Sequence, residues 1–283
     1  MKADAFFTFH KNMAPLEAGT IHVYHRVLSS VLTKAVKLGY ISNNPASRVD
    51  LPSIAYRKAA YLDEPDARRL LQLLWDEPIK WRAIVTFDLL SGLRRGELLG
   101  LCWQDVDFDN KIITVSQTSN YLPRKGLYTD TPKTSSSSRP VRISQSALLL
   151  LLEYRQWQDA QKDSLGDAWE DKDGRIFTSD TGAPIFPDSV TKWFGSFVKR
   201  SGLPKVSVHS LRHTYASLMI ADGAPLVVVS HQLGHAQTST TANIYAHVIA
   251  SAEAKSTQTF DRFTDIIEPK VQKRSPTKLA EIR

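Results

Sequence analysis

Residues 209–247 read HSLRHTYASLMIADGAPLVVVSHQLGHAQTSTTANIYAH, and the rest of the chain is organised around this stretch. It holds His209, Arg212, His213, His235 and Tyr245 within a short length of chain. An arginine presents a planar fork of donors that matches phosphate oxygens, and an imidazole can hold or pass a proton near neutral pH. A phenol can form a covalent intermediate. Together these side chains predict a site for a negatively charged reacting group.

The composition is that of a globular protein with a basic surplus. The 283 residues are 42% apolar and 23% charged, and the formal net charge is +7. A basic surplus favours a polyanionic partner, because lysine and arginine neutralise phosphates. The single cysteine, Cys102, excludes an internal disulfide framework and favours a reducing compartment. Since no apolar run is long enough to span a membrane, we expect a cytoplasmic protein.

Apolar spacing and turn residues predict mainly helices around the central stretch. Asp63 and Pro65 indicate a helix start, and Gly92 indicates a helix end. The predicted helices cover about 20–38, 63–75, 79–90, 93–101, 145–162, 188–201, 209–221, 225–233 and 240–249. The first of them carries several basic side chains, and two interpretations stay open, a helix that lies on DNA and an ordinary solvated face.

Alternation of apolar and polar residues predicts strands over 106–118, 127–133 and 139–143, with a short one over 175–178. The turn-forming run Thr134 to Ser138 separates two of them, so we expect a hairpin with Lys133 at its tip. The predicted fold class is α+β, mainly α with a small three-stranded antiparallel β-sheet at one edge.

Each candidate side chain also has a purely structural interpretation. Arg94 could form a surface ion pair with Glu97 three residues later, and Lys133 could be a solvated turn lysine. Arg212 lies on a helix with one buried face, which favours a role in binding an anion. His213 is one step further along that helix, so we expect it to point elsewhere and either to be structural or to support the side chains that bind the anion.

Histidine pairs at helical spacing could instead hold a metal ion. His209 and His213 are four residues apart, as are His231 and His235. The first pair lacks the glutamate of the zinc-protease motif, and Gly234 indicates a helix end just before the last histidine. A metal site is therefore the less favoured interpretation.

Six motifs in a fixed order make the pattern specific. They are LRRGE at 93–97, WQDVD at 103–107, TPKT at 131–134, HSLRH at 209–213, LGH at 233–235 and YAHV at 245–248. This order and spacing resembles the tyrosine recombinases, and within them the integrases of phages and conjugative elements. The resemblance covers residues 60–250 well and residues 15–50 moderately.

The resemblance implies which side chains form the active site. Tyr245 would be the nucleophile, and Arg94 and Arg212 would clamp the non-bridging phosphate oxygens. Lys133 would protonate the leaving 5′-oxygen. The remaining residues that it implies are His209 for proton transfer at the tyrosine, His235 for a phosphate hydrogen bond and Glu97 as support for the first arginine.

The same resemblance implies a site-specific DNA recombinase, the integrase of a mobile element, that works through a 3′-phosphotyrosyl intermediate. No metal or nucleotide cofactor is expected, because the bond energy is conserved. The implied partners are double-stranded DNA at attachment sites, a homo-tetramer on two duplexes, and DNA-bending or excision factors, with no membrane. The location that it implies is the nucleoid of a bacterial cytoplasm.

Four segments follow from the resemblance. Residues 1–50 would be part of a helical core-binding domain that clamps DNA, 51–62 a linker and 63–250 the catalytic domain. Residues 251–283 would be a C-terminal tail that packs on a neighbouring subunit. Family members of this kind carry more N-terminal sequence, so we expect the chain to be N-terminally incomplete.

Other functions stay open at this point. A decayed integrase could bind DNA without cutting it, and a metal-dependent nuclease would use the histidine pairs. Within the recombinases, a chromosome-dimer resolvase is the alternative to a mobile-element integrase.

Overall fold

The structure, a computed structural model, describes residues 16–54, 59–130 and 138–256, with the backbone alone for the last six. The chain divides into two compact units, and the boundary lies between residues 58 and 59. Each unit is built from the elements that its local sequence favours.

The first unit contains helix α1 (Ala18–Lys37) and a 3-10 turn (Pro45–Arg48). Asn44 joins the two, because its side-chain oxygen accepts from the Ala46 amide at 2.9 Å and its Nδ2 donates to the Thr33 hydroxyl at 3.0 Å. Buried Leu32 packs with Ala46 beneath this link. The predicted helix is confirmed, with its start two residues before Thr20.

The second unit is mainly helical. Asp63 caps the first helix by accepting from the Asp66 amide at 2.9 Å, as predicted. The predicted helices are confirmed with small shifts at their ends, except that the last runs on to Ser256. They are α2 (Glu64–Leu74), α3 (Ile79–Ser91), α4 (Arg95–Gly100), α5 (Gln145–Leu165), α6 (Pro187–Ser201), α7 (Val208–Ala221), α8 (Leu226–Leu233) and α9 (Thr238–Ser256), with 3-10 turns at Trp103–Asp105 and Gly166–Ala168.

Five short strands form two antiparallel sheets. They are β1 (Val106–Asp107), β2 (Ile112–Val115), β3 (Thr118–Leu122), β4 (Gly126–Asp130) and β5 (Arg139–Arg142). The three-stranded sheet has the order β1-β2-β5, and β3 pairs with β4 in the other. Buried Ile113 of β2 lies opposite buried Val141 of β5, so the inner face of the larger sheet packs on the core. The predicted fold class, mainly α with a small antiparallel sheet, is confirmed.

The predicted hairpin between 127–133 and 139–143 is wrong in its pairing. Both strands exist, but β4 pairs with β3 and β5 pairs with β2. The tight turn before Gly126 closes β3 onto β4 locally, while the buried side chains of β5 match those of β2. Lys133 lies outside the described residues. The segment over 175–178 forms single bridges, Cys102 to Arg175 and Thr178 to Pro184, in place of the predicted strand.

Helix α7 joins two groups of buried side chains. Leu211 belongs to the larger core, with Phe87 and Phe194, whereas Ala216 belongs to the smaller core with Leu233. Residues 212 and 213 therefore lie where the two cores meet. No helix in the described part of the chain is long and apolar enough to cross a membrane.

Candidate active site

Arg94 and Glu97 are joined at the start of α4. The Glu97 carboxylate accepts from the Arg94 amide at 2.9 Å and from its Nη1 at 2.8 Å. The backbone bond satisfies one of the free amides at a helix start, and the three-residue spacing lets the side chain reach back. The Arg94 side chain remains 46% exposed. It is therefore held at its base yet accessible to a ligand.

Glu97 is also bound by Arg139, which the sequence analysis did not single out. Nη1 and Nη2 of Arg139 donate to the two carboxylate oxygens at 2.9 and 2.8 Å. Burial opposes ionisation of Glu97, but the bonds and charge of Arg139 and the bonds from Arg94 outweigh it and lower its pKa to about 2. Arg139, Val141 and Ile143 are spaced by two, so they lie on the same face of the strand, and the two apolar residues are buried. An arginine on that inner face was the feature of the sequence that could have indicated a buried ionic partner.

Arg212 is buried on α7 and donates to two backbone carbonyls. Nη1 bonds the Gly92 oxygen at 2.8 Å, and Nη2 bonds the Leu233 oxygen at 2.5 Å. The next carbonyl, of Gly234, accepts from Nη2 of Arg94 at 3.0 Å. Burial and then the charge of Arg94 lower the pKa of Arg212 to about 10, so it stays a cation at neutral pH. Adjacent carbonyls thus bring the two arginines together.

Tyr245 lies within α9 at a break in its helical backbone, with φ −106° and ψ 15°. The side chain is only 2% exposed, and its hydroxyl oxygen lies 2.9 Å from Nδ1 of His213. Burial raises the pKa of the phenol to about 12, against the opposing charge of Arg212. Among the described residues, the His213 imidazole is in hydrogen-bond contact with this phenol and can accept its proton.

His213 is nearer to the tyrosine than we expected. The prediction that it points away is wrong, because Tyr245 comes from another helix and the site surrounds the start of α7. His209, which the resemblance implied for proton transfer at the tyrosine, instead meets the edge of the His213 ring, with centroids 4.7 Å apart. Burial, followed by the charges of His209 and Arg212, lowers the pKa of His213 to about 4.

His235 follows the carbonyls that hold the arginines. Its Nδ1 lies 2.7 Å from the hydroxyl of Thr241, a fully buried residue of α9. Burial and then the charges of Arg212, Arg94 and Arg139 lower its pKa to about 4. With Nδ1 engaged, Nε2 is the ring nitrogen that can bind a phosphate oxygen.

The structure thus brings together six of the seven predicted site residues. They are Arg94, Glu97, His209, Arg212, His235 and Tyr245. Lys133 lies outside the described residues, so its place in the site stays a prediction. Within the described ranges, no three histidine, cysteine, aspartate or glutamate side chains are grouped to hold a metal ion.

The chain is similar in sequence to known proteins. Residues 60–251 match the model of the phage integrase family. A tyrosine recombinase XerC-like protein of Caldanaerobacter subterraneus is 31% identical over 86% of this chain and 66% of its own length. The ICEBs1 integrase of Bacillus subtilis is 27% identical over 85% of this chain and 64% of its own. The chain therefore spans slightly less than two thirds of these relatives.

The fold also matches a solved structure. The Tn1549 transposon integrase, in complex with transposon right end DNA, superposes with a TM-score of 0.76 at 23% identity. The match covers 90% of this chain and 85% of that one. The resemblance to tyrosine recombinases that the six motifs indicated is confirmed. The chain belongs to the phage integrase family.

Proposed function

We propose that this protein cleaves and rejoins DNA by transesterification, with Tyr245 as the nucleophile. The observation that carries the proposal is the 2.9 Å contact between the Tyr245 hydroxyl and His213, beside the paired Arg94 and Arg212. A nucleophile with a proton acceptor, next to clustered cations, is the arrangement that attack on a phosphodiester requires.

In the proposed step, the Tyr245 oxygen attacks the scissile phosphorus and the bond to the 5′-oxygen breaks. The product is a 3′-phosphotyrosyl bond, and the phenol proton passes to Nδ1 of His213. Before DNA binds, a phenol pKa near 12 and an imidazole pKa near 4 keep the proton on the tyrosine. The negative charge of the bound phosphate raises the proton affinity of His213, which favours the transfer.

Charge that develops on the non-bridging oxygens needs donors that are already in place. Arg94 is half exposed, and its Nη atoms are fixed by Glu97 and Gly234. Arg212 is fixed by its two carbonyl partners, and Nε2 of His235 supplies a third donor when Nδ1 accepts from Thr241. Loss of one such donor typically slows a reaction by about 10²–10³-fold.

The leaving 5′-oxygen needs a proton to depart as a hydroxyl. We assign that role to Lys133 on the basis of its TPKT motif alone. Attack of another strand's 5′-hydroxyl on the phosphotyrosine then reverses the chemistry, so strands are exchanged without a nucleotide or metal cofactor.

The proposed substrate is double-stranded DNA at the attachment sites of a mobile element. The net charge of +7 favours binding to phosphates, and similarity to the ICEBs1 integrase supports the mobile-element setting. Recombination would take place in a homo-tetramer on two duplexes, with DNA-bending or excision factors where the element encodes them.

A nicked duplex made from DNA that flanks the gene tests this function. The nick lets the cleaved fragment diffuse away, so the phosphotyrosyl adduct accumulates and survives a denaturing gel. We expect the adduct with wild type in the presence of chelator, and none with Tyr245→Phe. DNA binding without an adduct would favour the non-catalytic DNA-binding protein, and loss of cleavage in chelator would favour a metal-dependent nuclease.

A further inference from the structure

We propose that Arg139 is a positioning residue of this site, which holds Glu97 and the C-terminal turn of α8 so that Arg94 and His235 are set for the phosphate. The inference rests on the function proposed above. It concerns a residue of β5, 45 positions after Arg94 and 96 before His235. The arginine connects parts of the site that are distant in sequence.

The first observation is the fork between Arg139 and Glu97. Both Nη atoms of Arg139 are used by the carboxylate, and the Arg139 side chain is only 11% exposed. The Nη1 and Nη2 donors of Arg139 are therefore directed at Glu97 and not at a ligand. Since Glu97 also holds the amide and Nη1 of Arg94, Arg139 acts on Arg94 through this shared carboxylate.

The second observation is at the end of α8, where three successive carbonyls each accept from a different arginine. The Gln232 oxygen accepts from Nε of Arg139 at 3.4 Å. The Leu233 oxygen accepts from Arg212, and the Gly234 oxygen from Arg94. The C-terminal end of a helix carries partial negative charge on such carbonyls, so it attracts cations. Arg139 is thus bonded to the same helix end that holds both phosphate-binding arginines.

Gly234 completes the contact. A Cβ at this position would lie 2.6 Å from Cζ and Nε of Arg139, so the guanidinium packs directly on the glycine backbone. Its φ of +65° also turns the chain out of α8 towards His235. The position of Arg139 therefore fixes the turn from which His235 projects.

The test compares adduct formation on the nicked duplex at saturating DNA for Arg139→Met, Arg139→Lys and Arg142→Met. Arg142 is an exposed arginine on the same strand and is the matched control. We expect Arg139→Met to slow adduct formation by about 10²-fold, as a misplaced catalytic group does, while the control stays near wild type. Arg139→Lys keeps the charge but cannot fill both carboxylate oxygens, so it should recover only part of the rate.

Two further measurements separate positioning from direct contact with DNA. Affinity is measured for each variant in a Tyr245→Phe background and should change little with Arg139→Met. The double variant with Glu97→Gln should be slowed by less than the product of the two single losses, because both changes break the connection to Arg94. Any further loss beyond Glu97→Gln alone reports the contact of Arg139 with the end of α8. Three results would overturn the proposal. They are an unchanged rate of adduct formation in Arg139→Met, a weaker DNA affinity that accounts for the slower rate, and a rate loss in the double variant equal to the product of the two single losses. If Arg139→Met does not fold, Arg139→Lys is judged by the same criteria.

A readout without DNA keeps the test independent of the proposed function. If wild type forms no adduct, titration of the His235 imidazole by NMR decides. The charge of Arg139 helps to lower the pKa of His235, so Arg139→Met should raise that pKa from about 4, whereas Arg142→Met should not. An unchanged His235 titration in folded Arg139→Met would show that the arginine does not set this part of the site.

Discussion

Nδ1 of His213 lies 2.9 Å from the hydroxyl oxygen of Tyr245, although the two residues belong to different helices and are 32 positions apart. The contact gives the buried phenol its hydrogen-bond partner on α7. The two histidines of this helix turn therefore have different contacts. His213 contacts the phenol, whereas His209 packs edge-on against the His213 ring.

Replacement of His213 should therefore impair cleavage more than replacement of His209. General base catalysis contributes about 10²–10⁴-fold, so His213→Ala should slow adduct formation on the nicked duplex by that order. His209→Ala should have a smaller effect, since it acts through the His213 ring. A greater loss with His209→Ala, at equal DNA affinity, would return the proton-transfer role to His209.

The stability of the protein should fall as the pH is lowered from about 6.5 towards about 5. Burial and neighbouring charges lower the pKa of His209, His213 and His235, the last two to about 4. Their unfolded pKa is near 6.5, so the unfolded chain binds more protons in this range and unfolding is favoured. The check is thermal denaturation at constant ionic strength. His213→Asn with His235→Asn should flatten the dependence, and an unaltered slope would contradict the explanation.

Glu97→Gln should be strongly destabilising. It leaves Arg139, whose side chain is 11% exposed, without its ionic partner, and loss of one member of a buried pair costs about 3–5 kcal/mol in the free energy of unfolding. The exposed pair between Glu64 and Arg68 is the control, and Glu64→Gln should change stability by less than about 0.5 kcal/mol. Urea denaturation measures both, and similar small losses would contradict the buried network.

Gly234→Ala should both destabilise the protein and slow cleavage. Its positive φ strains any side chain, and the new Cβ would meet the Arg139 guanidinium at 2.6 Å. Gly223 has a φ of +88° with no atom within 4 Å of a built Cβ, so Gly223→Ala reports backbone strain alone. We expect about 1 kcal/mol for the control and a larger loss at residue 234. Equal losses would show that the contact with Arg139 carries no energy.

The sequence was informative where the cause is local. Asp63 and Gly92 mark helix ends through bonds and conformations within a few residues, and the structure has those ends in place. Strand pairing is decided by distant partners. The inner face of β5 finds β2 more than twenty residues earlier, so a hairpin inferred from an intervening turn run was wrong.

The same distinction explains the site. Glu97 was implied by the resemblance to the family, and its contact with Arg94 is local, because the two residues lie three positions apart on one helix turn. Arg139 was missed because its partner is 42 positions away and nothing near it in sequence is anionic. The contact of His213 with the tyrosine was not predicted, because its position on α7 alone does not show that Tyr245 approaches it from α9.

The carbonyls at the end of α8 have an electrostatic consequence of their own. A carboxylate that oriented Arg212 would also cancel its charge, and it would become protonated in acid. A main-chain oxygen carries a dipole but no net charge, and it does not titrate. The Leu233 carbonyl, together with that of Gly92, thus orients the Arg212 guanidinium without neutralising it, so its cationic charge remains for the incoming phosphate, whereas Arg94 shares its charge with Glu97.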